Sequence, residues 1–138
     1  MQDCLFCKIV RGEIPSAQVF SSEHVLAFLD IGPIHKGHTL VIPKTHYATL
    51  WELPAALGQE MQEALQKVGQ AVVQATAADG LNVVMNNFRA AGQLVDHAHW
   101  HLVPRFTEDG LRWWPQQEYE SSESMEAVAQ AIRETLQP

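Results

Sequence analysis

The segment His97-Ala98-His99-Trp100-His101-Leu102-Val103 sets three of the chain's seven histidines on alternate positions. A period of two is the strand period, so the imidazoles project from one face while Ala98, Trp100 and Leu102 pack on the other. The segment reads as a half-buried strand with an imidazole face. Successive same-face side chains in a strand stand about 6.5–7 Å apart, close enough for three imidazoles to share one anionic ligand or for two to approach one metal ion. Polar strand faces ordinarily carry Thr, Lys or Glu, so a histidine stripe points to chemistry.

The rest of the chain supplies a sheet for that strand to join. Residues 5–11 read as a short helical turn ended by Gly12, followed by strands over 17–21 and 25–30. Gly32-Pro33 and Lys36-Gly37 mark turns, and the β-branched run Thr39-Leu40-Val41-Ile42, stopped by Pro43, reads as a third strand with His38 at its entrance. From about Ala55 to Ala78, Leu57, Met61, Leu65, Val68, Val72 and Ala75 recur at steps of three and four, one face of a long helix stopped by Asp79-Gly80. A fourth strand is expected over 81–87 and a fifth over 95–105, joined as an antiparallel hairpin. Residues 107–120 read as irregular. Met125, Val128, Ala129 and Ile132 outline a last amphipathic helix with Ser121 or Ser122 as N-cap. The expected fold is α+β: an antiparallel sheet with one long helix across it and a C-terminal helix, residues 1–138 forming a single domain.

Nine basic against sixteen acidic residues give a net charge of −7, which argues against binding a nucleic-acid backbone. A small anion can still be held locally by His38, His101 and backbone N–H groups. No apolar run approaches the roughly 18–20 residues of a membrane span, and the opening Gln2-Asp3-Cys4 is unlike a signal peptide, so a soluble, cytoplasmic protein is expected.

Cys4 and Cys7 are the only cysteines. A redox Cys-x-x-Cys sits between a strand and a helix, and nothing before residue 4 supplies that strand. Burial as packing residues and a zinc site completed by two further ligands remain open.

Upstream of the histidines runs Asn86-Asn87-Phe88-Arg89-Ala90-Ala91-Gly92-Gln93, and downstream Pro104-Arg105; earlier come Phe28-Leu29-Asp30-Ile31-Gly32-Pro33 and Gly37-His38-Thr39-Leu40-Val41-Ile42-Pro43-Lys44-Thr45-His46. In these segments, over nearly its whole length, the chain resembles the histidine triad nucleotide-binding family. The resemblance implies a nucleotidyl hydrolase acting on nucleoside 5′-phosphate derivatives, purine phosphoramidates first and dinucleoside polyphosphates second. His99 would be the nucleophile that forms a covalent nucleotidyl-histidine, its other ring nitrogen held by the main-chain carbonyl of His97. His101 and His38 would flank the phosphate, Asn86 and Gly92 would contact it, and Gln93 would contact it or position the incoming water. Asp30 would take the ribose hydroxyls, with Phe28, Ile31, Phe6 and Ile9 around the base. Some family members have a quartet matching Cys4, Cys7, His46 and His97, a structural zinc site that would staple the N-terminus to the imidazole strand. A homodimer is also implied, with the long helix and a neighbouring strand at its interface. Trp113 and Trp114 suit an interface, a pocket lid or plain packing.

One position departs from the family pattern. Many members carry Ser or Thr after the Gly-Gln pair, and this chain has Leu94, which offers no hydroxyl to the phosphate or the leaving group. Two other readings therefore stand beside the leading one: a metal-dependent hydrolase using the triad as ligands, and a nucleotide-binding or partner-binding module with weak catalysis. Transfer to another acceptor is disfavoured, because the transferase branch of the family carries glutamine where this chain has His101.

Overall fold

A computed structural model describes residues 3–137; Met1, Gln2 and Pro138 lie outside the described residues. Five strands, β1 (Gln18–Ser21), β2 (Val25–Leu29), β3 (Thr39–Pro43), β4 (Gly80–Met85) and β5 (Trp100–Arg105), form one antiparallel sheet in the order β1-β2-β3-β5-β4. Two helices pack on its opposite faces: α1 (Leu5–Val10) on one and α2 (Gly58–Thr76) on the other.

The strand alternation decides which residue faces which helix. Ala27, Val41 and Trp100 are cross-strand partners and look toward α2, where they meet Met61, Ala64, Val68 and Val72. One residue out of step, Phe28, Leu40 and His101 are partners on the opposite face, where Phe6 and Ile9 of α1 cover Phe28, Leu40 and Ile42. A one-residue slip of β5 would exchange His101 for a buried apolar residue. Each fully buried aliphatic side chain contributes about 1.5–3 kcal/mol, so this register is strongly specified.

Three elements differ from the sequence expectation by two residues or more at an end. The long helix is preceded by a 3-10 turn at Ala55–Leu57 and ends at Thr76, with Ala77 in the left-handed region (φ 57°). The Ala77 and Ala78 N–H groups donate back to the Gln74 and Val73 carbonyls, closing the helix in a Schellman arrangement, and Gly80 opens β4. β4 stops at Met85, which releases Asn86 and Asn87 into the following loop. Most consequentially, the fifth strand begins at Trp100 and not near Val95. Pro43 at the end of β3 has no N–H to donate, and Lys44 N–H turns to the His24 carbonyl, so the ladder between β3 and β5 ends at the Val41–Trp100 pair.

The final helix, α3 (Ser122–Leu136), begins with a capping box in which Ser121 Oγ accepts from Ser124 N–H and Ser124 Oγ accepts from Ser121 N–H. Its apolar residues Met125, Val128, Ile132 and Leu136 are all exposed. No helix among the described residues is long and apolar enough to cross a membrane.

Candidate active site

His97 and His99 precede β5 in an irregular segment held by main-chain groups. Ala98 N–H donates to the Tyr47 carbonyl at 2.7 Å. His97 Nε2 lies 2.8 Å from the Pro43 carbonyl and His99 Nδ1 2.7 Å from the His97 carbonyl. A carbonyl only accepts, so both ring nitrogens carry the proton. The neutral rings therefore keep free lone pairs at His97 Nδ1 and His99 Nε2. Burial lowers the pKa of both: His97 falls to about 4, and His99 is shifted down with its bond to the His97 carbonyl acting in opposition.

The next pair is ordered from the other direction. Ile34 N–H donates to His38 Nδ1 at 3.1 Å, so neutral His38 carries its proton on Nε2, which lies 2.9 Å from His101 Nδ1. His101 Nδ1 is then the acceptor, and its own proton sits on Nε2. The His101 ring centroid is 4.9 Å from that of His99. This relay runs from a backbone donor through two imidazoles and leaves an N–H on the ring beside the His99 lone pair. Burial, with the like charges of His99 and His38, pushes His101 to about 4; burial also lowers His38, against the pull of Asp30. Asp30 Oδ1 accepts from Gly32 N–H at 2.8 Å, and its Oδ2 lies 3.7 Å from His38 Nε2.

The loop after β4 separates two adjacent asparagines. Asn87 Oδ1 accepts from Leu50 N–H and ties the loop down, whereas Asn86 lies beside Gly92. Gly92 has φ +99°, and a Cβ there would stand 3.4 Å from Asn86 Nδ2, so the glycine allows both the backbone conformation and the close approach. Gln93 turns inward. Its Oε1 accepts from Phe88 N–H at 2.7 Å and its Nε2 donates to the Ala48 and Val95 carbonyls at 2.6 and 3.2 Å. Both amide protons are thus used by main-chain carbonyls, one in the loop and one at Ala48, and the residue is 1% exposed. The expected donation from Gln93 to a phosphate is not available in this conformation. Leu94 is 76% exposed and takes no part in the core.

Four donors converge on the other side of His97. Cys4 Sγ and Cys7 Sγ lie 3.4 and 3.6 Å from His97 Nδ1, Cys7 Sγ lies 3.4 Å from His46 Nδ1, and one ligand atom from each residue falls within 4.8 Å of the others. The sequence-distant quartet is therefore brought together. Its donor chemistry fits zinc: two sulfurs, and an imidazole whose lone pair is already directed at them. Burial first, then the neighbouring Cys4, raise the Cys7 thiol.

The apolar residues expected around a base divide in two. Phe6, Ile9 and Phe28 are buried together, with Phe6 edge-on to Phe28, whereas Ile31 is fully exposed. Phe6 also meets the His99 ring edge-on at 5.1 Å, so the apolar cluster abuts the triad.

A HIT domain model matches residues 11–108. The adenosine 5′-monophosphoramidase hnt1 of Schizosaccharomyces pombe is 42% identical over 113 residues, covering 80% of this chain and 82% of that protein. This chain belongs to the HIT family. The HIT fold is shared with a crystal structure of a HIT-family member from Bacillus subtilis, at 40% identity, 99% coverage of both chains and a TM-score of 0.90. It is also shared with the Zn-bound histidine triad protein of Mycobacterium smegmatis, at 36% identity, 97% and 96% coverage and a TM-score of 0.76.

Two groups that order this HIT site escaped the sequence reading. The Ile34 N–H and the Pro43 carbonyl assign the protons of His38 and His97, respectively. Both are main-chain groups, for which no side-chain signal exists; only the turn at Gly32-Pro33 and the strand-ending proline mark their places. His24 and His35 pair with Glu60 and Asp109.

Proposed function

We propose that this HIT protein hydrolyses nucleoside 5′-phosphate derivatives, purine phosphoramidates first and dinucleoside polyphosphates second, through a covalent nucleotidyl-His99. The observation that carries the reading is the 2.7 Å bond from His99 Nδ1–H to the His97 carbonyl, which leaves Nε2 as the nucleophilic atom. In the first step a bond forms from Nε2 to phosphorus as the bond to the leaving group breaks, the leaving group taking its proton from solvent. In the second, water attacks phosphorus and gives up a proton to solvent, the P–N bond breaks, and the 5′-monophosphate leaves with neutral His99 restored. His101 Nε2–H, kept in place by His38, donates to the phosphoryl oxygens, while Asn86 and the Gly92 backbone hold the phosphate from the loop side. The Asp30 carboxylate serves the ribose hydroxyls. Phe6, Ile9 and Phe28 form the wall behind the base, with exposed Ile31 as the remaining apolar side chain of that set.

The metal-triad alternative is weakened by tautomer chemistry. Among the described residues the triad does not form one ligand group: His97 clusters with Cys4, Cys7 and His46, and His101 with Asp30 and His38, where Ile34 N–H fixes the His38 proton on the very nitrogen a metal would need. A binding module with weak catalysis is the second reading, and Leu94 favours it.

Structural zinc at Cys4, Cys7, His46 and His97 belongs to the same proposal, supported by the converging donors and the Zn-bound relative. Stoichiometric zinc lost on replacing both cysteines would support it; zinc-free protein purified without chelator would refute it. A homodimer accounts for two unpartnered apolar surfaces, the exposed face of α3 and the groove between α2 and β4 lined by Leu65, Val73, Leu81 and Val83.

The deciding experiment is AMP release from adenosine 5′-phosphoramidate by the wild type and by His99→Ala, each with and without chelator. Turnover that survives brief chelation and disappears with His99→Ala is expected. Turnover retained by His99→Ala would overturn the reading.

A further inference from the structure

We propose that the Cys4/Cys7/His46/His97 cluster is a positioning device for the nucleophile, beyond any part it has in stability; this rests on His99 as the nucleophile. Each of the three chain segments that carries a cluster residue also makes a contact that fixes His99 or the group holding it. His97 contributes its side chain to the cluster through Nδ1 and its main-chain carbonyl to His99 Nδ1–H. That carbonyl belongs to the same peptide plane as the Ala98 N–H, and the N–H donates to the carbonyl of Tyr47. Tyr47 directly follows His46, another member of the cluster. The plane is therefore tied to the quartet twice, through the His97 side chain and through Tyr47, while its carbonyl edge holds His99. Between Cys4 and Cys7 lies Phe6, whose ring meets His99 edge-on at 5.1 Å and 89° and meets His97 at 5.8 Å.

An imidazole of the right tautomer is useless as a nucleophile if its ring is turned away from phosphorus, and small misplacements cost heavily. A displacement of about 1 Å can lower a rate by on the order of 10²-fold. Partners that orient a metal-site ligand typically matter by 10- to 100-fold. An assembled quartet locks the His97–Ala98 peptide and the Phe6 ring together. A disassembled one removes a tether from α1 and from residue 46 at once, leaving α1 to its apolar packing alone, so both restraints on His99 loosen together. Phe6 and the His97 main chain are on this reading positioning groups, through which the quartet acts on His99.

The test compares wild-type protein, His46→Asn and Phe6→Leu, the last keeping its apolar bulk but losing the aromatic edge. Four readouts are needed: zinc content, AMP affinity, the single-turnover rate of nucleotidylation from adenosine 5′-phosphoramidate, and the ¹⁵N signature of the His99 ring at fixed pH. For His46→Asn the expected result is loss of zinc, nucleotidylation slower by about 10- to 100-fold, AMP affinity changed by less than about threefold, and a His99 signature averaged over two tautomers. Phe6→Leu should slow nucleotidylation with zinc content unchanged. A zinc-free His46→Asn protein, folded at the assay temperature, with wild-type nucleotidylation and a single His99 tautomer would overturn the proposal; such a quartet would be purely stabilising. If the wild type itself forms no nucleotidyl-enzyme, the functional reading fails, and the ¹⁵N comparison still decides whether the quartet orders His99.

Discussion

Replacing Gln93 by leucine separates a loop-ordering role from a direct role at the phosphate. The side chain is almost fully buried and satisfies three main-chain groups, Phe88 N–H at 2.7 Å and the Ala48 and Val95 carbonyls at 2.6 and 3.2 Å. Leucine fills nearly the same volume and satisfies none of them. A net hydrogen bond is worth about 1 kcal/mol, and a buried partner left unpaired costs about 1–3 kcal/mol. Two short bonds and one long one, with some recovery by water at the loop surface, give a loss of about 3–5 kcal/mol, at the upper end for single substitutions. For a chain of this size that lowers the melting temperature by roughly 10–15 °C.

The assay is thermal and urea denaturation of the purified variant beside AMP affinity and turnover at a temperature where both proteins are folded. The expected pattern is a large stability loss with weakened AMP binding, because the same loop carries Asn86 and Gly92. A variant with an unchanged melting temperature and a collapsed kcat would refute the reasoning. It would mean that the amide swings out to the phosphate or the attacking water during catalysis and orders nothing at rest.

Four further outcomes follow from the structure. Because burial lowers His38 and brings His101 to about 4, kcat/KM should run flat through pH 6.5 and fall only toward pH 4–5; a limb with an apparent pKa at or above the ordinary histidine value would contradict the relay. The same depressed values mean that the unfolded chain takes up protons first, so stability is full above pH 6.5 and is lost as the pH falls toward 4, as urea midpoints across that window would register. Leu94→Ser, at an exposed position, should change stability by less than about 0.5 kcal/mol. It should raise phosphoramidate turnover about tenfold or more if the missing hydroxyl limits the wild type, and equal turnover would free Leu94 of that charge. Ile132→Glu should convert a dimer into monomers in sedimentation at micromolar concentration, and a monomeric wild type would remove the dimer.

Periodicity made most of the fold legible in the sequence, because alternation and the three-to-four spacing are direct readouts of which face is buried. Val41, Phe28, Met61 and Val72 lie where their spacing put them. The start of β5 was not legible, since His97 and Ala98 continue the alternation of His99, Trp100, His101 and Leu102, which tertiary structure does not honour. What ends the strand is a proline in its neighbour, and which strand neighbours which is not written in either segment alone. The convergence of Cys4, Cys7, His46 and His97 was accessible only through family resemblance. The inward turn of Gln93 had no sequence signal, because glutamine donates equally well to a phosphate and to a carbonyl.

The early end of that ladder is what makes the site possible. Had β3 and β5 stayed paired back to Val95, the Pro43 and His97 carbonyls would have been committed to main-chain partners or turned toward the neighbouring strand. Instead the Pro43 carbonyl receives His97 Nε2–H and the His97 carbonyl receives His99 Nδ1–H. Each of these bonds settles a tautomer, and each tautomer settles a direction: the His97 lone pair points at the two sulfurs, and the His99 lone pair is left for phosphorus. A regular strand would supply three imidazoles in a row with nothing to choose among their protonation states. The irregular segment gives up two or three ladder bonds, worth about 1 kcal/mol each, and gains histidines with assigned roles. His101, still inside β5, cannot be ordered this way, since its main-chain neighbours belong to the sheet; it is ordered by His38, whose own proton is placed by the turn residue Ile34.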